Sequence, residues 1–260
     1  MNRASPGRRG ALALLVSLPA ALRVAHAVEA SPGTYAVLSL VGDQLTIVTR
    51  RLTTGTQLDP NDRQVLPVDD ASLDGAIAAA AESAITEANP ASQWLCFSIR
   101  DARLFALQDQ LLSPGAESDG LREALRGLLA KAGATHLIVV TKWRGEASFK
   151  LVDGSVGAGK IMGVGFNVDD VTRTKLLSTG EISTGFVAPF AYVRVSLLDA
   201  ATLKVVATRV AVESSLWTPP QTKDAVFAWE IMTAKEKSQA LDGVIHEAVS
   251  KATRELLAER

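Results

Sequence analysis

The sequence has 260 residues, of which 47% are hydrophobic and 21% charged, and a formal net charge of −1. These values are ordinary for a globular protein and exclude a disordered chain, a collagen-like chain and a polytopic membrane protein. The balance of 27 basic and 28 acidic residues argues against nucleic-acid binding, which needs a basic excess to neutralise phosphates.

Residues 1–27 have the three parts of a secretory signal peptide. Arg8-Arg9 contributes a positive start, residues 11–22 are an apolar run, and Ala25-His26-Ala27 places small residues at a cleavage site. The apolar run is too short to cross a bilayer, which takes about 20 residues. We predict a periplasmic protein whose mature chain begins at Val28.

The export route and the mode of anchoring depend on a few further residues. Arg8-Arg9 leaves the twin-arginine route open beside the general secretory route, although the flanking residues do not match the fuller motif. Cys96 is the only cysteine, so no intramolecular disulfide forms, and it lies far from the cleavage site. We therefore expect neither a lipoprotein nor a stable membrane span after cleavage.

The mature chain opens with a strand-rich segment. Residues 34–41 and 44–50 are rich in β-branched and aliphatic side chains and predict two strands. Gly42-Asp43 between them suits the type II′ turn of a hairpin. Residues 51–69 are polar and predict a loop.

Helix and strand patterns then alternate. A helix capped by Asp70 or Ser72 is expected to run to about Ala88. Residues 93–99 are almost wholly apolar, which is typical of an inner strand covered on both faces. Residues 102–112 predict another helix.

The middle of the chain continues this alternation. Ser118 is expected to cap a helix with leucines at helical spacing, and Gly133 ends it. Residues 136–143 predict the clearest strand of the chain. Residues 146–152 alternate and are candidates to pair with that strand as a hairpin.

The carboxyl-terminal part predicts a strand pair followed by a long helix. Residues 192–198 and 203–213 are the two strands, and residues 199–202 connect them. Thr233 and Glu236 form a capping box for the final helix. The whole order predicts a single α/β domain over residues 28–260, with helices packed on one mixed β-sheet.

Residues 153–189 interrupt this pattern. The segment is rich in glycine and has neither a strand nor a helix period, so we predict a Gly-rich insertion, or arm. Contact with a partner, packing over the sheet as an ordered lid, and partial disorder are all open. Membrane insertion is disfavoured because the alternating segments of membrane hairpins are missing. The candidate partner contacts are Lys160, Met162, Phe166, Phe186 and Phe190.

Two stretches suggest a family. Residues 133–140, after an amphipathic helix, and residues 192–206 resemble periplasmic α/β domains of the TolB amino-terminal type and the related curli-secretion (CsgG-like) envelope proteins. Leu203 replaces the turn glycine of that pattern, and the lipidated cysteine is missing. The resemblance implies an envelope interaction module without catalysis and carries over no site residues.

Two motifs come close to known catalytic or binding patterns. Residues 154–160 match the spacing of a phosphate-binding loop, but Ile161 stands where Mg²⁺ requires a hydroxyl and no helix start follows. Residues 246–250 match half of a zinc-protease helix, with Ser250 in place of the second histidine. We predict neither a nucleotide site nor a metal site.

Other possible catalytic groups also have a simpler interpretation. Cys96 lies in an apolar strand, where an inert buried thiol is usual, and His136 is expected to be structural. The carboxylate pairs Asp69-Asp70 and Asp169-Asp170 are interpreted as solvated turn residues.

We therefore expect a non-catalytic periplasmic protein-interaction module, part of a cell-envelope assembly and without a cofactor. Its partners are envelope proteins of unknown identity or further copies of the chain. The alternative is an exported small-ligand-binding protein or enzyme with a site near the arm, around Trp143, Lys160 and Asp199.

Overall fold

The computed structural model describes residues 33–50, 61–68, 72–97, 112, 119–151, 154–175, 182–218 and 228–259. The strands are β1 Thr34–Ser39, β2 Gln44–Arg50, β3 Asn61–Pro67, β4 Gln93–Phe97, β5 His136–Lys142, β6 Arg144–Glu146, β7 Phe149–Leu151, β8 Gly154–Val156, β9 Lys160–Lys175, β10 Ile182–Asp199 and β11 Val205–Ser214. The helices are α1 Ser72–Ala88, α2 Asp119–Lys131, α3 Ala228–Ile231 and α4 Ala234–Ala258. The predicted signal peptide and the predicted helix over 102–112 lie outside these residues, except Leu112, which is helical.

The centre of the fold is a mixed sheet built around the 18-residue strand β10. Strand β11 pairs antiparallel with Phe190–Leu198 along one edge of β10. Along the other edge, β9 pairs with Ile182–Tyr192 and β5 with Val193–Asp199, so β9 and β5 lie end to end. The mixed sheet with helices on it confirms the predicted fold class.

The next two strands out from β10, β1 and β2, also lie end to end. Strand β1 pairs parallel with β5, and β2 pairs parallel with β9. Strands β4 and β3 follow beside β1 and β2. The predicted hairpin at Gly42-Asp43 is wrong, because β1 and β2 continue in line and each pairs with strands far away in sequence.

The Gly-rich segment is not an irregular arm over most of its length. Strand β9 takes up residues 160–175 and β10 begins at Ile182, and the two pair antiparallel in the middle of the sheet. Successive residues such as Phe186, Val187 and Ala188 are all fully buried. A strand buried on both faces has no alternating polar pattern, which is why the period was missing from the sequence.

Helices cover one face of the sheet. Helices α1 and α4 pack on a face formed by Val37, Ile138, Val140 and, in β10, by Val187 and the odd-numbered residues 191–197. The two helices run side by side in the same direction. The Ser250 hydroxyl donates to the Ala80 carbonyl over 2.9 Å, and Arg254 pairs with Glu87 at 3.0 Å.

Two smaller elements cover the opposite face. Helix α2 packs through Leu125 and Leu129 on the β1–β5 half. The β7–β8 hairpin and Ile161 cover Phe186, Phe190 and Tyr192 of the β9–β10 half. The molecule therefore has three layers, with the sheet in the middle.

Two predicted helix ends and one predicted hairpin are confirmed by local geometry. The Thr233 hydroxyl accepts from the Glu236 amide, and the Glu236 carboxylate accepts from the Thr233 amide, which completes the capping box of α4. Gly133 has a φ of 65° directly after α2, as a left-handed helix end requires. The β10–β11 hairpin is also as predicted.

Three local predictions are wrong because the strand that each segment pairs with, or the position it takes in the sheet, was not evident from its own residues. Residues 61–67, expected to be loop, form β3 against β2. The segment expected to pair with β5 instead forms β7, which pairs with β8. Strand β4, expected to be an inner strand, is the outermost of the described strands on its side of the sheet.

Candidate functional site

Three of the five predicted partner contacts are core residues. Phe166 is 3% exposed, and Phe186 and Phe190 are fully buried. Phe190 packs edge-on against Tyr192, with ring centroids 5.7 Å apart. Burial leaves these side chains almost no surface for a partner, which corrects the prediction for the three phenylalanines.

The other two predicted contacts are exposed at the start of β9. Lys160 pairs with Glu146 across the β6–β9 ladder, with Nζ and Oε1 3.5 Å apart. Met162 is 47% exposed. Both residues stay predicted partner contacts.

A row of exposed valines lies along β11. Val205, Val206, Val210 and Val212 are 42%, 53%, 44% and 42% exposed. The register places Val205, Val210 and Val212 on the sheet face opposite α4, and Val206 is the extra residue of a β-bulge. Among the described strands, β11 pairs only with β10, so this valine row accompanies a sheet edge.

The two charged side chains of β11 pair with residues of α4. Arg209 pairs with Glu255 and Glu259, and Lys251 pairs with Glu213 at 2.8 Å. These contacts hold the charged residues of the strand on the helical face. The opposite face of β11 carries the valines, with Thr208 between them hydrogen-bonded to Ser196 of β10. The sequence alternates across 205–213, but it did not reveal that one of the two faces is open.

An apolar groove lies on the helical side of the sheet. Helix α4 has 25 residues and α1 has 17, so α4 extends beyond the start of α1. Beside the first turns of α4, the sheet face is left as a groove of about 630 Å³. Its apolar walls come from several elements, namely Leu45, Leu66, Val68, Leu73, Phe166 and Leu241.

Trp229 and Lys237 stand at one end of this apolar groove. Trp229 contacts Phe166 edge-on, with ring centroids 5.2 Å apart. The Lys237 ammonium lies 3.9 Å from the centroid of the Trp229 ring, a cation–π contact. Desolvation lowers the pKa of Lys237. Asp242 and His246 line the groove further along α4 and are exposed.

The alternative site around Trp143, Lys160 and Asp199 is not assembled. The Trp143 amide donates to the Tyr192 carbonyl, whereas Asp199 pairs with His136 at the opposite end of β5. Seven residues of β10 separate the two positions, which corresponds to about 23 Å. Asp199 instead accepts hydrogen bonds from the Thr202 amide and hydroxyl in the β10–β11 turn.

Cys96 and His136 are not close enough to act as a catalytic thiol–imidazole pair. Cys96 lies opposite Val37 and His136 opposite Tyr35, on strands that flank β1. One intervening strand separates the two by about 10 Å, too far for proton transfer. Cys96 is exposed, which corrects its predicted burial, but desolvation and then the charge of Asp74 raise the pKa of its thiol. His136 stacks on Tyr35, as expected of a structural histidine.

The remaining motifs are structural. Residue 160 begins a strand, so the helix required by a phosphate-binding loop is replaced by β9. Asp169, expected in a solvated turn, is 3% exposed and pairs with Arg50 at 3.2 Å. Burial raises the pKa of Asp169, but hydrogen bonds from Thr172, Val171 and Arg50 outweigh it and lower that pKa. Asp69-Asp70 lies outside the described residues.

A buried carboxylate lies under the start of α1. Asp74 is 9% exposed, and its Oδ1 atom has no hydrogen-bond partner within the described structure. Desolvation raises the pKa of Asp74, a hydrogen bond with Ser39 lowers it, and the charge of Asp43 raises it further, with a net increase. The described residues contain no cluster of three metal-ligating side chains.

None of the helices in the described part of the chain has the length and apolar character of a membrane span. No family model and no curated protein matches the chain.

The chain is similar to several solved structures at low identity. The PelC dodecamer from Paraburkholderia phytofirmans is 12% identical, with 88% of this chain and 90% of that chain covered and a TM-score of 0.35. Protein XCC0632 from Xanthomonas campestris, of family DUF330, is 10% identical over 88% and 83%, also with a TM-score of 0.35. Lipoprotein GNA1162 from Neisseria meningitidis is 7% identical over 83% and 97%, with a TM-score of 0.26. These names do not confirm the TolB or CsgG-like resemblance, and such low TM-scores carry no argument about function or assembly.

Proposed function

We propose that this chain is an exported, non-catalytic protein-interaction module of the cell envelope, and that its main contact surface is the valine row of β11. The single observation that carries the proposal is four exposed valines along one sheet edge. An exposed strand edge with apolar side chains is a template for a strand of another chain.

The chemistry of β11 supports protein binding over catalysis. Its exposed face offers valine methyl groups beside a row of backbone amides and carbonyls, which suits strand addition. Arg209 and Glu213 are held on the opposite face by α4, so no charged side chain of β11 lies among the valines. The partner is another envelope protein or a second copy, and Lys160 and Met162 are predicted to add contacts.

Photo-crosslinking in intact cells tests the surface. A benzoylphenylalanine placed at Val210 should give one discrete protein adduct, identified by mass spectrometry. Val65 is the matched control, because it is a valine that is 54% exposed on β3, at the far side of the sheet. Val212→Lys should abolish the adduct from position 210. Equal adducts from positions 65 and 210, or none from position 210, would show that β11 is not the contact surface.

Export is tested separately on the same cells. The periplasmic fraction should contain a chain that begins at Val28, as read from the amino-terminal peptide. An intact amino terminus in the cytoplasmic fraction alone would contradict the predicted signal peptide and the periplasmic location.

A further inference from the structure

We propose that the apolar groove beside α4 binds a single-chain anionic amphiphile, a fatty-acid-like carboxylate whose acyl chain occupies the groove and whose headgroup pairs with Lys237. This inference is independent of the valine row, since the groove lies on the opposite face of the sheet. Its ligand and its test therefore do not depend on the proposed function.

The size and lining of the groove favour an acyl chain. The volume of about 630 Å³ lies within the roughly 300–1,000 Å³ of small-molecule sites. Leucine, valine and phenylalanine side chains from three strands and from both long helices form the walls. The alanines at positions 76 and 79 on α1, and at 234 on α4, have short side chains that leave the groove open.

The charge at one end of the groove favours an acidic headgroup. Lys237 is half-buried, and its ammonium is held over Trp229 at 3.9 Å. The described structure has no carboxylate paired with this lysine. A ligand carboxylate at this position gains a charge-assisted hydrogen bond while its chain extends along α4.

The acidic group that lines the groove lies away from Lys237. Asp242 is five residues further along α4, which corresponds to about 7.5 Å of helix. Its carboxylate lines the groove further along α4 and repels an anionic headgroup placed there. The charges therefore orient the ligand with its headgroup at Lys237.

Calorimetric titration of the full mature chain with sodium dodecanoate, below its micellar concentration, tests the proposal. Saturable binding of one dodecanoate is expected, with dodecanol and dodecyltrimethylammonium each at least about tenfold weaker. Lys237→Gln should weaken dodecanoate by about tenfold and leave dodecanol unchanged. Lys235→Gln is the matched control, because Lys235 is exposed in the same helical turn and does not line the groove.

A second experiment fills the groove with a large side chain. Ala76→Phe should abolish dodecanoate binding, whereas Ser83→Phe, exposed on the same helix away from the groove, should not. A circular dichroism melt verifies that both variants fold. Absence of saturable binding to the wild-type chain, equal effects of the two phenylalanines, or no effect of Lys237→Gln would each overturn the proposal.

Discussion

Leu203 occupies a backbone conformation that glycine normally takes. Its φ is 53°, yet its side chain is 1% exposed and packs among the core residues under α2. Its carbonyl accepts from Arg122 over 2.9 Å. A left-handed leucine costs about 1–2 kcal/mol, whereas loss of a buried leucine costs about 2–5 kcal/mol. Burial is therefore the larger effect and explains why leucine stands where a turn glycine was expected.

Substitution of Leu203 separates the two effects. Leu203→Gly should destabilise the protein by about 1–3 kcal/mol, since relief of the backbone offsets part of the lost burial. Leu203→Ala loses the burial without that relief and should destabilise more. Urea unfolding of the two variants measures the difference, and a glycine variant as stable as the wild type would show that the side chain contributes little.

Asp74 makes stability depend on pH in an unusual direction for a carboxylate. Because its pKa is raised in the folded state, the folded chain binds more protons than the unfolded chain above the ordinary value of 3.8. Its contribution is therefore favourable at low pH and is lost as pH rises through the folded pKa. Asp74→Asn should be more stable than the wild type at neutral pH, and the difference should vanish towards pH 3.8. Thermal melts across this range measure it, and a pH-independent difference would contradict the assignment.

At the scale of elements, the contact between β2 and β9 depends on one glycine. A Cβ atom on Gly165 would overlap the Thr46 carbonyl of the neighbouring strand. Gly165→Ala should therefore destabilise the protein by more than about 2 kcal/mol, measured by urea unfolding.

The matched control for this substitution is a glycine with open surroundings. Gly127 lies in α2, and a Cβ atom there meets nothing within 4 Å. Gly127→Ala should stabilise the protein by about 0.5–1 kcal/mol, because alanine is the better helix former. Similar losses in both variants would exclude strand contact as the cause at position 165.

The sequence was informative about elements and less informative about their partners. Helices α1 and α4, with the Thr233–Glu236 cap, and strand β5 followed from local periodicity and capping. Gly42-Asp43 has the chemistry of a hairpin turn, but the local preference was outweighed by pairing of β1 with β5. Polar β3 was missed because an edge strand buries little.

The candidate surfaces were harder to predict for the same reason. Lys160 and Met162 are exposed and stay predicted contacts, whereas the three phenylalanines lie in strands that are covered on both faces. The valine row requires knowledge of which face α4 covers. The groove arises from the difference in length between α1 and α4, two helices whose contact joins residues 170 positions apart.

At the scale of the whole molecule, β10 joins two packing regions. Its first part lies over the β7–β8 hairpin and its last part over α2, with one continuous backbone between them. We expect one cooperative unfolding transition, since neither half keeps its central strand without the other.

Core substitutions in the two halves test this cooperativity. Phe186→Ala and Leu137→Ala should each shift the same calorimetric transition to lower temperature. The expected losses in unfolding free energy are about 3–5 kcal/mol for Phe186→Ala and about 2–5 kcal/mol for Leu137→Ala. Val65→Ala, at an exposed position, should change it by less than about 0.5 kcal/mol. Two separate transitions, each sensitive to one core substitution, would show that the halves unfold independently.

The rows of strands placed end to end also bear on how quickly the chain folds. Tyr35 pairs with His136, Thr46 with Gly165, and α1 meets α4 only near the end of the chain. Loops of such length must close before these contacts form, and sheets dominated by such contacts fold in milliseconds to seconds. The first strands to be synthesised therefore wait longest for their neighbours. Their unpaired edges are the part of this protein most exposed to aggregation during folding.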